Sequence, residues 1–207
     1  MNNKFNYDLY GITAEKYSRG RDNIQVVEEM IAAGIKIIQY REKEKSMREK
    51  YEECRTIRQM TEKEGVDLLI NDHLDLALMV DADGVHLGQK DLPPREARKI
   101  LGPEKIIGLS THSPAQAQNA LQQEVDYIGV GPIFSTSTKK NVCDPVGLEY
   151  LEYVVENIDL PFVAIGGIKE HNIEQVWEKG ASCVALVTEI VGAKNIQEKI
   201  SSLRSRG

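Results

Sequence analysis

Short apolar, β-branched runs recur along the chain, each followed by a polar or glycine-marked turn and then by a segment whose apolar residues repeat at helical spacing. The runs are YDLYGIT, IKIIQYR, DLLIND, GVHLG, IIGLST, YIGVGPI, PFVAIGGI and CVALVT. Most are apolar at consecutive positions rather than alternating, as strands covered on both faces are. Between them lie amphipathic stretches such as IQVVEEMIAAG, SMREKYEECRTIRQMTEKEG, SPAQAQNALQQE and NIEQVWEKG, several closing on glycine as a helix C-terminus does. NIQEKISSLRS follows the last run. Eight strand-then-helix units predict an α/β protein with an all-parallel sheet, and at 207 residues the economical form is a closed (β/α)8 TIM barrel, ahead of an open doubly wound sheet. No linker, low-complexity tract or shift in composition divides the sequence, so residues 1–207 read as one domain.

Composition narrows the function. About two-fifths of the residues are apolar, enough for a substantial core, and the net charge of −6 argues against nucleic acid or an anionic membrane surface as partner. Small molecules are the expected partners, and a homo-oligomer is compatible with the sequence without being indicated by it. The first twenty residues contain no apolar signal core and no run is long enough to span a bilayer, so the chain reads as cytoplasmic. Cys54, Cys143 and Cys183 lack ligand spacing and read as ordinary thiols of a reducing compartment.

In a parallel barrel the chemistry lies where strands end and strand-to-helix loops begin. The second run, continuing as IKIIQYREKEKS, places Gln39, Arg41 and Lys43 on one face with Ile37, and Ile38, Tyr40 and Glu42 on the other. One face therefore turns cationic at the carboxyl end. The third run ends in Asn71 and Asp72, the fourth leads to Asp91, the fifth ends at Ser110, and the sixth opens into GPIFSTSTKK. Asp72 and Asp91 are hard oxygen ligands among cations and suit Mg2+, which keeps several waters and completes its shell with substrate phosphate. Arg41, Lys43, Lys139 and Lys140 would supply positive charge around such a polyphosphate. The competing reading is that Asp72 caps a helix near Leu74 and Asp91 one near Pro93.

A second anion site is expected where AIGGI and ALVT end, because glycine lets backbone N–H groups approach a ligand and these loops of a barrel often hold phosphate. Ser135, Thr136, Ser137 and Thr138 form a hydroxyl-rich loop able to bind a polar ligand or simply to be solvated. Glu189 beside it must point away from an anion. The four histidines show no metal spacing, and His112 is kept as a minor acid/base candidate.

Taken together, QYREK, the Asn71 and Asp72 pair, ADGVHLGQKD, GLSTHS, DYIGVGPIFSTSTKK, PVGLEYL, PFVAIGGI and the final LVT resemble the thiamine phosphate synthase, or thiamine-phosphate pyrophosphorylase, family in its order. The resemblance implies a cytoplasmic transferase of thiamine biosynthesis on a (β/α)8 barrel. It would join 4-amino-2-methyl-5-(diphosphooxymethyl)pyrimidine to a methylthiazole-ethyl phosphate, releasing pyrophosphate and, from a carboxylated thiazole, CO2. Mg2+ is the family's metal, and Asp72 and Asp91 would bind it. Gln39, Tyr40, Arg41, Glu42, Lys43, Asn71, Ser110 and Lys139 would hold the pyrimidine diphosphate, with Arg41, Lys43, Ser110 and Lys139 acting at the reacting group. Thr136, Ser137, Thr138, Gly167, Val187 and Thr188 would hold the thiazole phosphate. Thr188 stands where the family commonly has Ser, segment 141–145 follows no interpretable pattern, and the first run carries no motif. The alternatives are a thiazole tautomerase-like enzyme, which would have no use for the two carboxylates, and a non-catalytic thiazole-phosphate-binding regulator, which would be expected to lose the diphosphate clamp.

Overall fold

The computed structural model describes residues 5–136, 138 and 143–206. Eight parallel strands close in sequence order: β1 Leu9–Ile12, β2 Ile37–Tyr40, β3 Asp67–Asn71, β4 Gly84–Leu87, β5 Ile106–Thr111, β6 Tyr127–Val130, β7 Phe162–Ile165 and β8 Val184–Leu186, with β8 pairing back to β1. Seven of the eight strands are shorter than the apolar run that contains them, whereas β5 spans the whole of IIGLST. In those seven the last residues of the run leave the ladder, and these help to form the mouth. Around the barrel lie α1 Asn23–Ala32, α2 Met47–Glu64, α3 Leu74–Met79, α4 Pro94–Leu101, α5 Pro114–Ala120, α6 Gly147–Asn157, α7 Ile173–Glu178, α8 Thr188–Val191 and α9 Ile196–Arg204. The architecture expected from the strand and helix pattern is present. Among the described residues no helix is long and apolar enough to cross a membrane.

Local chemistry explains where the longer helices start and stop. Asp22 with Gln25, and Ser46 with Glu49, form reciprocal capping boxes that satisfy the first N–H groups of α1 and α2. Gly65 ends α2 at φ +60°, a conformation that costs glycine little. Ser113 and Asn195 accept from backbone N–H groups at the starts of α5 and α9.

Strand alternation sorts the core into two layers. Leu9, Ile38, Tyr40, Leu68, Ile70, Val85, Leu109 and Ile128 face the helices. Tyr10, Ile12, Ile37, Leu69, Tyr127, Val163 and Ala185 fill the barrel. Two glycines make room for that interior. A Cβ on Gly84 would lie 2.0 Å from the Ile106 carbonyl oxygen, and one on Gly108 would lie 2.2 Å from Tyr127 Cζ. At the base, Phe5 stacks on Tyr127 with centroids 4.4 Å apart, and the Tyr7 hydroxyl donates to Asp67.

The amino ends of the strands share one device. An aspartate preceding a strand pairs with an arginine from a helix: Asp83 with Arg58 at 2.7 Å, Asp126 with Arg98 at 2.6 Å and Asp8 with Arg204 at 2.6 Å. Asp83 and Asp126 also accept from the N–H of the neighbouring strand, at Leu68 and Ile107. Conserving charge at this end for stapling leaves the other end for chemistry, the division expected of a barrel.

Arg204 also donates to the carbonyls of Ala33 and Gly34 just past α1, at 2.7 and 3.0 Å. Burial would raise the Asp8 carboxyl, but Arg204 and the Leu9 N–H outweigh it and hold Asp8 below its ordinary value of 3.8. A depressed carboxyl contributes stability above that value and loses it as pH falls through the folded value. Because solvent screens the pair, Arg204→Gln is predicted to lower unfolding free energy by only about 1 kcal/mol at neutral pH, with the gap narrowing below about pH 4. Urea titrations at both pH values check this, and a gap that widens on acidification contradicts it.

Candidate functional site at the barrel mouth

Strand β2 delivers its side chains as its alternation requires. Gln39 lies inside, 3 % exposed, and its amide Nε2 donates to the Tyr10 hydroxyl at 3.0 Å. Arg41 begins the following loop, which is pinned by its N–H donating to Thr13 Oγ1 at 2.8 Å. Lys43 Nζ reaches Asp72 Oδ2 at 2.5 Å. Tyr40 does not join them. It is buried in the outer layer, and its hydroxyl donates to Glu53 Oε2 at 2.6 Å. Glu42 Oε1 accepts from the Glu15 N–H at 2.8 Å. The expected contact of these two side chains with a diphosphate is therefore corrected: both leave the cationic face, one into the helix layer and one toward the loop after β1. Glu53 also accepts from Asn23 at 3.1 Å, and Lys45 bridges Glu53 and Glu15. The loop after β2 thus rests on a half-buried polar cluster.

The two carboxylates come from adjacent strands. Asp72 follows β3 at φ +63°, a left-handed conformation costing a non-glycine residue on the order of 1 kcal/mol, and its N–H donates across to the His86 carbonyl at 3.0 Å. Helix α3 starts after His73 and α4 after Pro93, and neither has a side-chain cap, so the capping reading of Asp72 and Asp91 falls away. Asp91 instead accepts from the Gly88 N–H at 2.6 Å. Burial raises the Asp91 carboxyl, and the charge of Asp72 beside it adds to this against the Gly88 N–H. Burial acts on Asp72 in the same sense, but Lys43 and a hydrogen bond with Asp91 overcome it and hold Asp72 low. The pair is a like-charge site that calls for a cation, a role Lys43 fills here. Among the described residues no group of three or more His, Cys, Asp or Glu side chains forms a ligand cluster. Two carboxylates, with waters and substrate oxygens to complete the shell, fit Mg2+ better than a fully protein-ligated metal.

Asn71, the residue before Asp72, ends β3, and Ser110 lies near the end of β5, two strands on. Past β6, Thr136 and Thr138 share a hydroxyl hydrogen bond of 3.2 Å. Ser137, Lys139 and Lys140 lie outside the described residues, as do positions 141 and 142. Gly167, after β7, sits at φ +67°, and a Cβ there would lie 2.6 Å from the Phe134 and Ser135 carbonyl oxygens. Val187 and Thr188 have left β8, and Thr188 opens α8. Lys169, which the sequence did not single out, donates to Thr188 Oγ1 at 3.2 Å. Glu189 is engaged by Lys169 at 3.3 Å and by Lys199 at 3.4 Å, which neutralises the charge that would repel an anion here. His112 donates from Nδ1 to the Gly131 carbonyl at 2.5 Å, a structural use of that nitrogen.

One feature went unread in the sequence. His86 Nδ1 lies 2.8 Å from the Tyr127 hydroxyl and His86 Nε2 lies 2.9 Å from Ser110 Oγ, while the Tyr10 and Tyr127 hydroxyls are 3.0 Å apart. A hydrogen-bonded chain thus crosses the barrel from Gln39 to Ser110. The available signal was alternation, which puts Tyr10, His86 and Tyr127 on inner faces.

A family described as thiamine monophosphate synthase matches residues 9–190. The chain is 68 % identical over 198 residues to the thiamine-phosphate synthase of Pelotomaculum thermopropionicum, covering 96 % of this chain and 91 % of that protein. It is 55 % identical to the thiamine-phosphate synthase of Caldicellulosiruptor saccharolyticus over 95 % of this chain and 89 % of that one. Among solved structures, thiamine phosphate pyrophosphorylase from Pyrococcus furiosus superposes with a TM-score of 0.88 at 35 % identity, over 97 % of this chain and 95 % of that one.

The turn at Gly167 yields a prediction. Gly167→Ala adds a strained positive φ and a clash with two carbonyls, so it should cost about 2 kcal/mol or more of unfolding free energy by urea titration. A cost below about 0.5 kcal/mol would show that the turn relaxes freely.

Proposed function

The chain belongs to the thiamine monophosphate synthase family, and from that membership we propose that it transfers the 4-amino-2-methylpyrimidin-5-ylmethyl group from its diphosphate to the ring nitrogen of a methylthiazole-ethyl phosphate. The products are thiamine phosphate and pyrophosphate, with CO2 in addition when the thiazole is carboxylated. The observation that carries this reading is the neighbouring carboxylates of Asp72 and Asp91 beside Lys43 on the same rim as Gln39 and Ser110. A site for a thiazole phosphate alone would need no such pair.

The exocyclic CH2–O bond breaks with its electron pair leaving on the diphosphate, and the thiazole nitrogen lone pair then forms the C–N bond. Departure is the difficult step, eased by the 4-amino group, which donates electrons through the ring to the CH2 carbon. Arg41, Lys43 and Lys139 would take up the charge growing on the leaving group. Lys43 is already aimed at negative charge, as its contact with Asp72 shows. Gln39, Asn71 and Ser110 would orient the pyrimidine. Thr136, Ser137, Thr138, Gly167, Val187 and Thr188 would hold the thiazole phosphate by hydroxyl and backbone donors, with Lys169 behind Thr188. Mg2+ held by Asp72 and Asp91 would supply Lewis-acid neutralisation at the diphosphate. No general base is needed, because the attacking nitrogen already has a free lone pair.

Purified protein given both substrates and Mg2+ should release thiamine phosphate and pyrophosphate in equal amounts. Asp72→Asn and Asp91→Asn should each lower kcat/KM by about a hundredfold or more with circular dichroism unchanged. No product from the parent chain contradicts the activity, and full turnover in both variants contradicts the role of the carboxylates.

A further inference from the structure

The chain of hydrogen bonds inside the barrel has a direction, and we propose that Tyr10, Tyr127 and His86 are positioning residues that make Gln39 an acceptor and Ser110 a donor toward the pyrimidine, selecting a 4-amino over a 4-oxo ring. This rests on the reading that the pyrimidine diphosphate occupies the mouth. The direction follows link by link. The Gln39 amide N–H donates to the Tyr10 hydroxyl. The Tyr10 and Tyr127 hydroxyls lie 3.0 Å apart and either can donate; because Tyr10, 1 % exposed, already accepts from Gln39, its own proton is assigned to Tyr127. Tyr127, fully enclosed, passes its proton to His86 Nδ1 at 2.8 Å. An imidazole nitrogen that accepts is unprotonated, so the ring hydrogen sits on Nε2 and goes to Ser110 Oγ at 2.9 Å. Ser110 accepts that bond and turns its hydroxyl hydrogen elsewhere.

Both phenols stay protonated, because burial first of all raises them well above their ordinary values. Packing keeps the rings in line. Tyr127 fills the space a Cβ on Gly108 would need, and a Cβ on Gly129 would lie 3.3 Å from His86 Cε1. Phe5 stacks beneath Tyr127.

Both ends of the chain open on the mouth. Gln39 Oε1 has no partner among the described residues and is not one of their sealed, unsatisfied atoms, which are Asn23 Oδ1 and Trp177 Nε1. The mouth thus meets a ligand with an acceptor from β2 and a donor from β5. A 4-aminopyrimidine presents the complement, an amino donor beside a ring-nitrogen acceptor. A 4-oxopyrimidine presents the reverse, an acceptor beside N–H, and would leave buried polar groups mispaired. Reversing the chain would reverse the preference, so the intermediate hydroxyls and the imidazole carry specificity without touching substrate.

Two measurements on the full chain test this. Nitrogen-15 correlation spectra of the ligand-free protein, with His86 identified by its loss in His86→Gln, should show the Nε2–H tautomer, and Tyr127→Phe should mix the tautomers. Steady-state kinetics with the 4-amino and 4-oxo pyrimidine diphosphates should show that Tyr127→Phe and Tyr10→Phe each erode the amino preference about tenfold while KM for thiazole phosphate holds. Both variants retain the packed ring, and thermal unfolding verifies that each folds. An Nδ1–H tautomer in the parent protein, or an unchanged amino preference in both folded variants, overturns the proposal. Equal losses for both pyrimidines would reduce the chain to a structural element and overturn it too. A parent protein that shows the Nε2–H tautomer but converts neither pyrimidine supports the direction of the chain and removes the substrate reading alone.

Discussion

Two carboxylates brought within reach of each other at the end of a low-dielectric barrel cannot both carry full charge without a cation, and the mouth is organised around that constraint. Asp72 takes a left-handed backbone conformation to reach the position, and its N–H is tied to the next strand. Asp91 is held by the Gly88 N–H. Lys43 supplies the compensating charge and is carried by the same loop as Arg41. The arrangement keeps a lysine and two acidic oxygens poised side by side, a combination suited to binding a metal and a diphosphate together.

The closed parallel sheet makes this arrangement possible by separating its two ends. At the amino ends, aspartates and arginines staple strands to helices, and the aromatic rings of Phe5, Tyr7 and Tyr127 close the base. At the carboxyl ends, polar residues sit on the last strand positions, as Asn71 and Ser110 do, or in the loops just beyond, as Arg41 and Asp72 do. Strand alternation divides labour again: inner positions feed the mouth, whereas outer positions such as Tyr40 brace the loops from behind through Glu53. Stability and chemistry are therefore assigned to different residues of the same short strands.

Local patterns were legible in the sequence and distant pairings were not. Eight apolar runs marked the strands, and the alternation of IKIIQYR put Gln39 and Tyr40 on opposite faces, which the fold turns inward and outward respectively. The family resemblance carried the whole stretch 39–43 into the site, and for the Tyr40 and Glu42 side chains alternation was the better guide. Asp72 and Asp91 were readable because one ends a strand run and the other lies three residues past the next, although their mutual effect needed coordinates. The crossing chain through Tyr10, His86 and Tyr127 links residues 117 and 41 positions apart. No local period reports such a pairing. Lys169 escaped for a similar reason, since its partner Thr188 lies on the next strand's loop.

On the proposed function, the carboxylate pair and a diphosphate would share one divalent cation. Calorimetric titration of the full chain with Mg2+, in the presence and absence of inorganic pyrophosphate, measures that coupling directly. Pyrophosphate should tighten Mg2+ binding by about tenfold or more, and Asp72→Asn with Asp91→Asn should abolish the enhancement. Mg2+ affinity that is the same with and without pyrophosphate, or an enhancement that survives loss of both carboxylates, would contradict it.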